Sequence, residues 1–213
     1  MAPPARRSGT RKKSRSAHQG ELRAALITEA ERELDEVGVN KLSLRSIARR
    51  AGVSEAAPYH HFEGKDDLLQ AVAVAGFERL FDRFAAVSRQ SPGWDHLGGI
   101  GVVYVQFALE FPAMFRLMFG SVAGENIRRA DFERARSRVF DVLNESVDRY
   151  LAEQGVPACE ASTLATVAWA TVHGLATLLV EKELDPVELG FDDAQALVER
   201  VLASIAFVPE PAG

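Results

Sequence analysis

The sequence has almost no cysteine and no long apolar run, and each absence narrows the class of protein. One cysteine, Cys159, in 213 residues cannot form an internal disulfide, which fits a reducing compartment. No apolar run approaches the ~18 residues of a membrane span, and the N-terminus lacks the apolar core of a secretory signal. No catalytic or metal-binding constellation is evident. The sequence therefore predicts a cytoplasmic protein with no membrane partner, no cofactor and no metal.

Charge is distributed unevenly along the chain. Residues 1–64 carry a net +4 and residues 65–213 a net −9, which together give the overall −5. Such asymmetry indicates that one end of the chain meets a polyanion and the other does not. Residues 1–20 hold six basic and no acidic residues, a composition that buries too little apolar surface to fold alone. We expect a disordered basic arm over 1–20, either a solvated extension or an arm that touches DNA.

Apolar residues recur at spacings of three and four from Glu21 onward, and no stretch alternates as a strand does. This periodicity predicts an all-α fold. We expect a helix-turn-helix domain over 21–65 and a larger helical domain over 66–213. The predicted helices cover 21–38, 43–51, 54–63, 65–87, 95–110, 112–119, 125–154, 158–183 and 192–207.

The stretch "RSIARRAGVSEAAPYHHFEGKDDLL", residues 45–69, has the layout of a helix-turn-helix, since "AGVS" joins two short helices. Ser43 is the predicted N-cap of the first helix, with Leu42 and Ile47 at the staple positions. Ser54 is the predicted N-cap of the second. If Phe62 is buried, the N-terminal end of the second helix faces outward, which is the end that enters a major groove. The outward residues are then Glu55, Ala56, Ala57, Tyr59 and His60.

Three ring side chains crowd this short helix. Tyr59, His60 and His61 are short hydrogen-bonding groups that can meet phosphates, and Arg45 and Lys65 can add positive charge from either side. A metal site at the two histidines is disfavoured, because adjacent residues on a helix diverge by ~100°.

Residues 26–72 resemble the N-terminal DNA-binding domain of the TetR family of bacterial repressors. The resemblance implies that operator contacts come from Arg45, Ala56, Ala57, Tyr59, His60, His61 and Lys65, and we add the two cap residues Ser43 and Ser54 as candidates. Two positions depart from the family pattern. Pro58 replaces a commoner leucine or isoleucine. Glu55 replaces a commoner neutral or basic residue, and can either accept from a cytosine amino group or repel phosphate. The signature positions matched are Gly38, Ser43, Ile47, Ala48, Ala51, Gly52, Val53, Ser54, Tyr59, Phe62, Lys65, Leu68 and Leu69.

The predicted larger domain, residues 66–213, contains two apolar segments that could either form core or line a ligand site. "FPAMFRLMFG", residues 111–120, forms either part of the core or an adaptable wall for an apolar ligand. Trp169 and His173 share a helix face, and His173 is either a satisfied core residue or a polar handle in a pocket. This region is similar to a TetR subgroup named for a Trp-His-Gly motif, which implies an effector-binding and dimerisation domain. The candidate effector-binding residues are Phe107, Phe111, Met114, Phe115, Met118, Trp169 and His173.

The last two predicted helices are apolar around much of their circumference, which predicts a four-helix interface between two copies of the chain. The residues that suggest it are Leu164, Val167, Val172, Leu175, Leu178 and Leu179 in one helix, and Leu197, Val198, Val201, Leu202, Ile205 and Phe207 in the other.

Together these features predict a homodimeric transcriptional repressor, not an enzyme, that a small-molecule effector releases from a palindromic operator. It would act in the bacterial cytoplasm, at the nucleoid when bound to DNA. Three alternatives stay open. One is a helical enzyme or small-molecule binder that retains the N-terminal fold, with Glu110, Glu145, Asp148 and His173 as its ionisable groups. The others are a nonspecific DNA-architectural protein and a transcriptional activator.

Overall fold

The structure, a computed structural model, describes residues 10–87, 93–120, 130–155 and 160–204. In these ranges the chain forms helices and no strand, which confirms the predicted all-α class. The elements are α1 (Thr10–Lys41), α2 (Leu44–Arg50), the 3₁₀ helix η1 (Ala57–His60), α3 (Lys65–Ala86), α4 (Gly93–Glu110), α5 (Pro112–Phe119), α6 (Ala130–Gln154), α7 (Ala161–Val180) and α8 (Ala194–Ser204).

The chain divides into two compact units, one up to Val72 and the other from Ala73. The division falls within α3, a few residues after the predicted domain boundary at residue 65. The first two turns of α3 belong to the first unit, and their side chains Leu68, Leu69 and Val72 are fully or almost fully buried. One continuous helix therefore contributes residues to both units.

The first helix begins earlier than the periodicity predicts. Residues 10–20, which we expected in a disordered arm, belong to α1, and residues 1–9 lie outside the described residues. Adding residues to a helix that has already nucleated avoids the cost of nucleation, and the Arg, Lys, Ala and Gln residues of this stretch have high helix propensity. At the other end, Gly38 has a φ of 75°, which interrupts the helix where the glycine was predicted to stop it.

The start of α2 has the predicted cap. The Ser43 side chain accepts from the Ser46 backbone N–H at 3.1 Å, and the Ser46 hydroxyl accepts from the Ser43 backbone N–H at 3.2 Å. This reciprocal pair is a capping box. The staple residues Leu42 and Ile47 are buried, and the Ser46 hydroxyl donates to the buried carboxylate of Glu33 in α1. The capping box therefore fixes where α2 begins, and the Ser46–Glu33 hydrogen bond connects α2 to α1.

We expect Ser43→Ala to lower the free energy of unfolding by about 1 kcal/mol, because the Ser46 N–H loses its acceptor. Urea denaturation of the full chain, followed by far-UV circular dichroism, measures the change. Ser54→Ala is the matched control, since η1 has no side-chain cap. Equal losses in the two variants would contradict a capping role for Ser43.

The second unit is built around α4. This helix contacts α5, α6, α7 and α8, and α6 also packs against α7. At one end of the helix, Leu97 lies in a cluster of buried residues from α6 and α7, including Val147, Leu151 and Leu164. The central position of α4 makes its side chains available to any cavity inside the unit.

The apolar residues predicted to form an interface between two copies are for the most part buried within one chain. Leu164, Val172, Leu175 and Leu179 of α7 are buried in the unit itself, and so are Leu197, Val198 and Leu202 of α8. Because α7 contacts α4, α6 and α8, it buries more of its circumference within its own chain than the sequence suggests. In α7 the large apolar residues left exposed are Val167 and Leu178. Ile205 and Phe207 lie outside the described residues.

The outer face of α7 carries no charge over about four turns. It is formed by Thr163, Thr166, Val167, Ala170, Gly174, Thr177 and Leu178, which we call the α7 outer face. No membrane span was predicted from the sequence, yet α7 has the length and the apolar composition of a helix that could cross a membrane. Of that stretch, 44% is buried inside the protein.

Candidate nucleic-acid interface and ligand pocket

The turn after α2 has a defined geometry. The Val53 N–H donates to the Ala48 carbonyl at 3.0 Å, and the Gly52 N–H donates to the Arg49 carbonyl at 3.2 Å. This is the Schellman arrangement, which places the residue after the C-cap in the left-handed region. Gly52 has a φ of 70° there. The turn predicted from "AGVS" is present, and its glycine is required by the backbone.

The element after the turn is not the α-helix that we predicted over 54–63. Its helical part is the 3₁₀ helix η1, which spans only Ala57–His60 and lacks a side-chain cap from Ser54. Pro58 has no N–H to donate to the Ser54 carbonyl, and that carbonyl accepts instead from Ala57 at 2.9 Å. The Tyr59 N–H donates three residues back, to Ala56, at 3.2 Å. Proline therefore changes the hydrogen-bond pattern and does not merely remove one bond.

This short helix separates its side chains by face. Pro58 and Phe62 are buried, and the Arg23 guanidinium covers the Phe62 ring at 5.3 Å. Tyr59 is 55% exposed, His60 is exposed, and His61 is half-buried. Ser54 and Ala56 are exposed and Ala57 is half-buried. The candidate ring residues thus lie on the surface, on the side opposite the residues that anchor η1.

The cations around this surface differ in how far they are already engaged. Arg45 is exposed and lies 3.7 Å from the exposed Glu55, a spacing and exposure at which an ion pair contributes little. Lys65 donates from Nζ to the backbone oxygen of Asn40 at 3.2 Å. Arg50 makes two 2.7 Å hydrogen bonds to Glu36, which lower the pKa of that carboxyl and raise the pKa of the guanidinium. Arg50 is therefore committed to α1, whereas Arg45 remains available for a phosphate.

In the second unit, His173 is the centre of an aromatic cluster. Its Nδ1 lies 2.8 Å from the Tyr104 hydroxyl of α4, and its ring stacks on Trp169 with centroids 5.4 Å apart. The rings of Phe115 and Phe119 in α5 lie 5.5 and 5.0 Å from it. The structure thus brings the predicted residues Phe115, Trp169 and His173 together.

The protonation of this cluster follows from its burial. Burial raises the pKa of the Tyr104 hydroxyl, which stays protonated, and lowers the pKa of His173, which is neutral at pH 7. The buried indole N–H of Trp169 partly offsets the rise in the pKa of Tyr104. It makes no hydrogen bond of normal geometry to any of the described residues. We assign Tyr104 as the donor to Nδ1, which puts the remaining imidazole proton on Nε2.

Three other predicted effector residues lie elsewhere. The rings of Phe107 and Phe111 are 5.3 Å apart, and Arg83 of α3 covers both. Met114 is buried and packs close to Gly76 of α3. These residues join α3 to α4 and α5, whereas Met118 borders the pocket beside His173.

An apolar cavity of about 40 Å³ lies between α4, α6, α7 and α8. Its walls include Ile100, Phe140, Leu143, Val172 and Leu202, and among the predicted residues only Trp169. Gly101 also borders it, and a Cβ there would come within 2.8 Å of Leu202. The cavity has room for about one water, whereas pockets for small ligands measure ~300–1,000 Å³, so a ligand would have to spread these side chains.

A second pocket of about 150 Å³ adjoins the first and has a polar character. Its walls are Met118, Phe119, Gly120, Phe132, Arg136, Trp169 and His173. Phe119 and Trp169 line both pockets. Tyr104 and Arg136 were not among the residues predicted from the sequence. A signal existed for Tyr104, because Gly98, Gly101 and Tyr104 are three apart and line one face of α4; the sequence gives no comparable signal for Arg136. Within the described ranges, no group of three His, Cys, Asp or Glu residues is placed to hold a metal.

The fold and the exposed η1 surface define a helix-turn-helix DNA-binding protein with a separate helical domain. The family model described as "Bacterial regulatory proteins, tetR family" matches residues 26–72, and the one described as "Tetracyclin repressor-like, C-terminal domain" matches residues 97–205. The second match alone covers about half of the chain. The chain belongs to the TetR family of bacterial transcriptional regulators.

Individual relatives agree with this assignment. An uncharacterised helix-turn-helix transcriptional regulator, YobS of Bacillus subtilis strain 168, is 26% identical over 164 residues, which are 76% of this chain and 81% of that protein. A solved structure of a protein of unknown function from Rhodococcus sp. RHA1 is 32% identical, with a TM-score of 0.75 over 86% of this chain and 92% of that one. The regulator FadR of Bacillus subtilis, solved with stearoyl-CoA, shares the fold, with 14% identity and a TM-score of 0.68 over 84% and 95% of the chains.

Proposed function

We propose that this protein is a homodimeric repressor that binds a palindromic operator through η1 and leaves it when a small molecule occupies the second unit. The observation that supports this most directly is the separation of faces in η1, with Phe62 buried and Tyr59 and His60 exposed. A helix-turn-helix with a buried anchor and exposed hydrogen-bonding rings is suited to lie in a major groove.

The α7 outer face supports the proposed dimer. It is uncharged and mostly exposed, with Val167 and Leu178 flanking the exposed Ala170 and the half-buried Gly174. Small residues at the centre of such a face allow a second helix to approach closely. A homodimer formed about a two-fold axis would present two copies of η1, as a palindromic operator requires. A face of this kind is also compatible with lipid, and the proposed assembly explains it without a membrane.

The proposed mechanism is a shift between two conformations. The cavity beside Gly101 measures only about 40 Å³, so a ligand that fills it must stabilise a conformation with a more open second unit. Only a difference in affinity between the two conformations can shift their populations, and a shift from 1:99 to 99:1 needs about 5.5 kcal/mol. We propose α3 as the connection that carries the change, because it is a continuous helix with residues in both units.

Selection of bound duplexes from a random DNA library tests the proposal. We expect recovery of palindromic sequences with half-sites about one helical turn, ~34–36 Å, apart. We expect a gel shift with the selected duplex to show roughly 10³-fold preference over random DNA, with strong salt dependence. Equal affinity for selected and random DNA would instead identify an architectural protein. Transcription in vitro from a promoter that carries the selected site separates repression from activation.

A further inference from the structure

The polar pocket beside His173 has the donors of an anion site. The Arg136 guanidinium, the Nε2–H assigned to His173 and the buried N–H of Trp169 all belong to residues that line it. Of the described residues in its walls, none is acidic. Among these donors the Trp169 N–H is buried and has no acceptor among the described residues, and a buried donor of this kind is satisfied by water or by a ligand that supplies the acceptor.

The arginine is available for a ligand. Its Nη1 lies 3.7 Å from the Glu133 carboxylate one turn earlier, and both side chains are about 40% exposed, so this pair is weak. The guanidinium also lies over the Phe140 ring at 5.1 Å, which holds it against the wall of the apolar cavity. Phe140 packs edge-on against Trp169 at 5.3 Å, and Trp169 stacks on His173. One continuous set of rings thus connects Arg136 with His173.

The neighbouring cavity determines what the rest of the ligand must be. Its walls are almost entirely apolar, and the Tyr104 hydroxyl is hydrogen-bonded to His173. Phe119 and Trp169 form part of both pockets, so a molecule can extend from one to the other. Donors at one end and hydrocarbon walls at the other match an amphiphile with a negatively charged head.

We propose that the effector of this protein is an amphiphilic carboxylate, with its head at Arg136 and His173 and its apolar tail between α4, α6 and α7. This inference rests on the proposed function, since it names the class of ligand that the second unit takes. Entry of the tail spreads the side chains that close the cavity, and this couples recognition of the head to the change in conformation.

Binding of three ten-carbon probes with different heads tests the proposal. The probes are decanoate, 1-decanol and decylammonium, each below its aggregation concentration and measured by isothermal titration calorimetry on the full chain. We expect decanoate to bind at least about tenfold more tightly than the other two and to release the selected operator duplex. Equal binding of the three probes, or preference for the alcohol or the amine, overturns the proposal.

Substitutions locate the head. Arg136→Gln is expected to weaken decanoate at least about tenfold and to leave decanol unchanged, because the loss of charge matters only for the anion. Arg134→Gln, an exposed residue on the same helix, is the matched control and should leave both affinities unchanged. Equal effects of the Arg134 and Arg136 variants contradict a specific head site.

Operator binding without a probe distinguishes failure of the carboxylate proposal from failure of the regulator proposal. If the chain binds its selected operator but decanoate neither binds nor releases it, the carboxylate proposal fails and the regulator proposal stands. If no duplex is selected while decanoate binds at Arg136, the regulator proposal fails and the ligand site stands.

Discussion

Ala170→Arg is expected to separate the proposed dimer into monomers and to weaken operator binding by orders of magnitude. Ala170 is exposed at the centre of the α7 outer face, one turn from Val167 and from Gly174. In a two-fold interface each new guanidinium would meet its own copy, and like charges brought together out of water are strongly unfavourable. The fold of the chain itself should survive, because the side chain points away from its own core.

The size of the effect on DNA follows from the loss of one half-site. Specific proteins bind their sites about 4–10 kcal/mol more tightly than random DNA, so losing half of that weakens binding by roughly 30- to 4,000-fold. Sedimentation velocity measures the mass, and a gel shift measures the affinity. Asn144→Arg adds the same charge at an exposed position on α6 and should change neither. A dimer that persists in Ala170→Arg would place the interface on another surface.

The parts of the fold set by local rules could be predicted from the sequence. Ser43 caps α2 because its hydroxyl is close to an N–H three residues on, and Gly52 is needed because the turn requires a positive φ. The form of η1 could not be predicted in the same way. Pro58 shifts the hydrogen bonds around it from an α to a 3₁₀ pattern, and burial of Phe62 holds the result in place.

The candidate ligand pocket was predictable only in part, because helices distant in sequence form it. Trp169 and His173 were identified from their spacing on one helix, and Met118 from the composition of α5. Tyr104 and Arg136 reach them only through the packing of α4 and α6, and a local pattern in the sequence points to Tyr104 but not to Arg136. The same packing explains why Phe107, Phe111 and Met114, although equally apolar, face α3 and leave the pocket to other residues.

Tyr59→Ala is expected to weaken operator binding about 10²-fold or more without changing the stability or the mass of the protein. The side chain is 55% exposed, so its removal leaves no cavity. A hydrogen bond from its hydroxyl to a phosphate is a bond to a charged group, which contributes about 1.5–3 kcal/mol, and a dimer makes it twice. Leu189→Ala removes an equally exposed apolar residue of the second unit and should leave operator affinity unchanged.

The salt dependence of binding distinguishes this contact from that of a cation. Tyr59 is neutral, so its loss should lower affinity at every salt concentration without changing the slope of log K against log salt. Lys65→Ala should reduce that slope by about one per protomer, because each neutralised phosphate releases condensed counterions. Part of the Lys65 effect will be structural, since its ammonium also holds the Asn40 carbonyl. Lys65→Arg keeps the charge and should restore the slope.

Tyr59→Phe keeps the ring and removes the hydroxyl, so full affinity in that variant would mean that the ring contacts DNA by packing and not by a hydrogen bond to phosphate. Full affinity in Tyr59→Ala as well would remove η1 from the operator contact altogether.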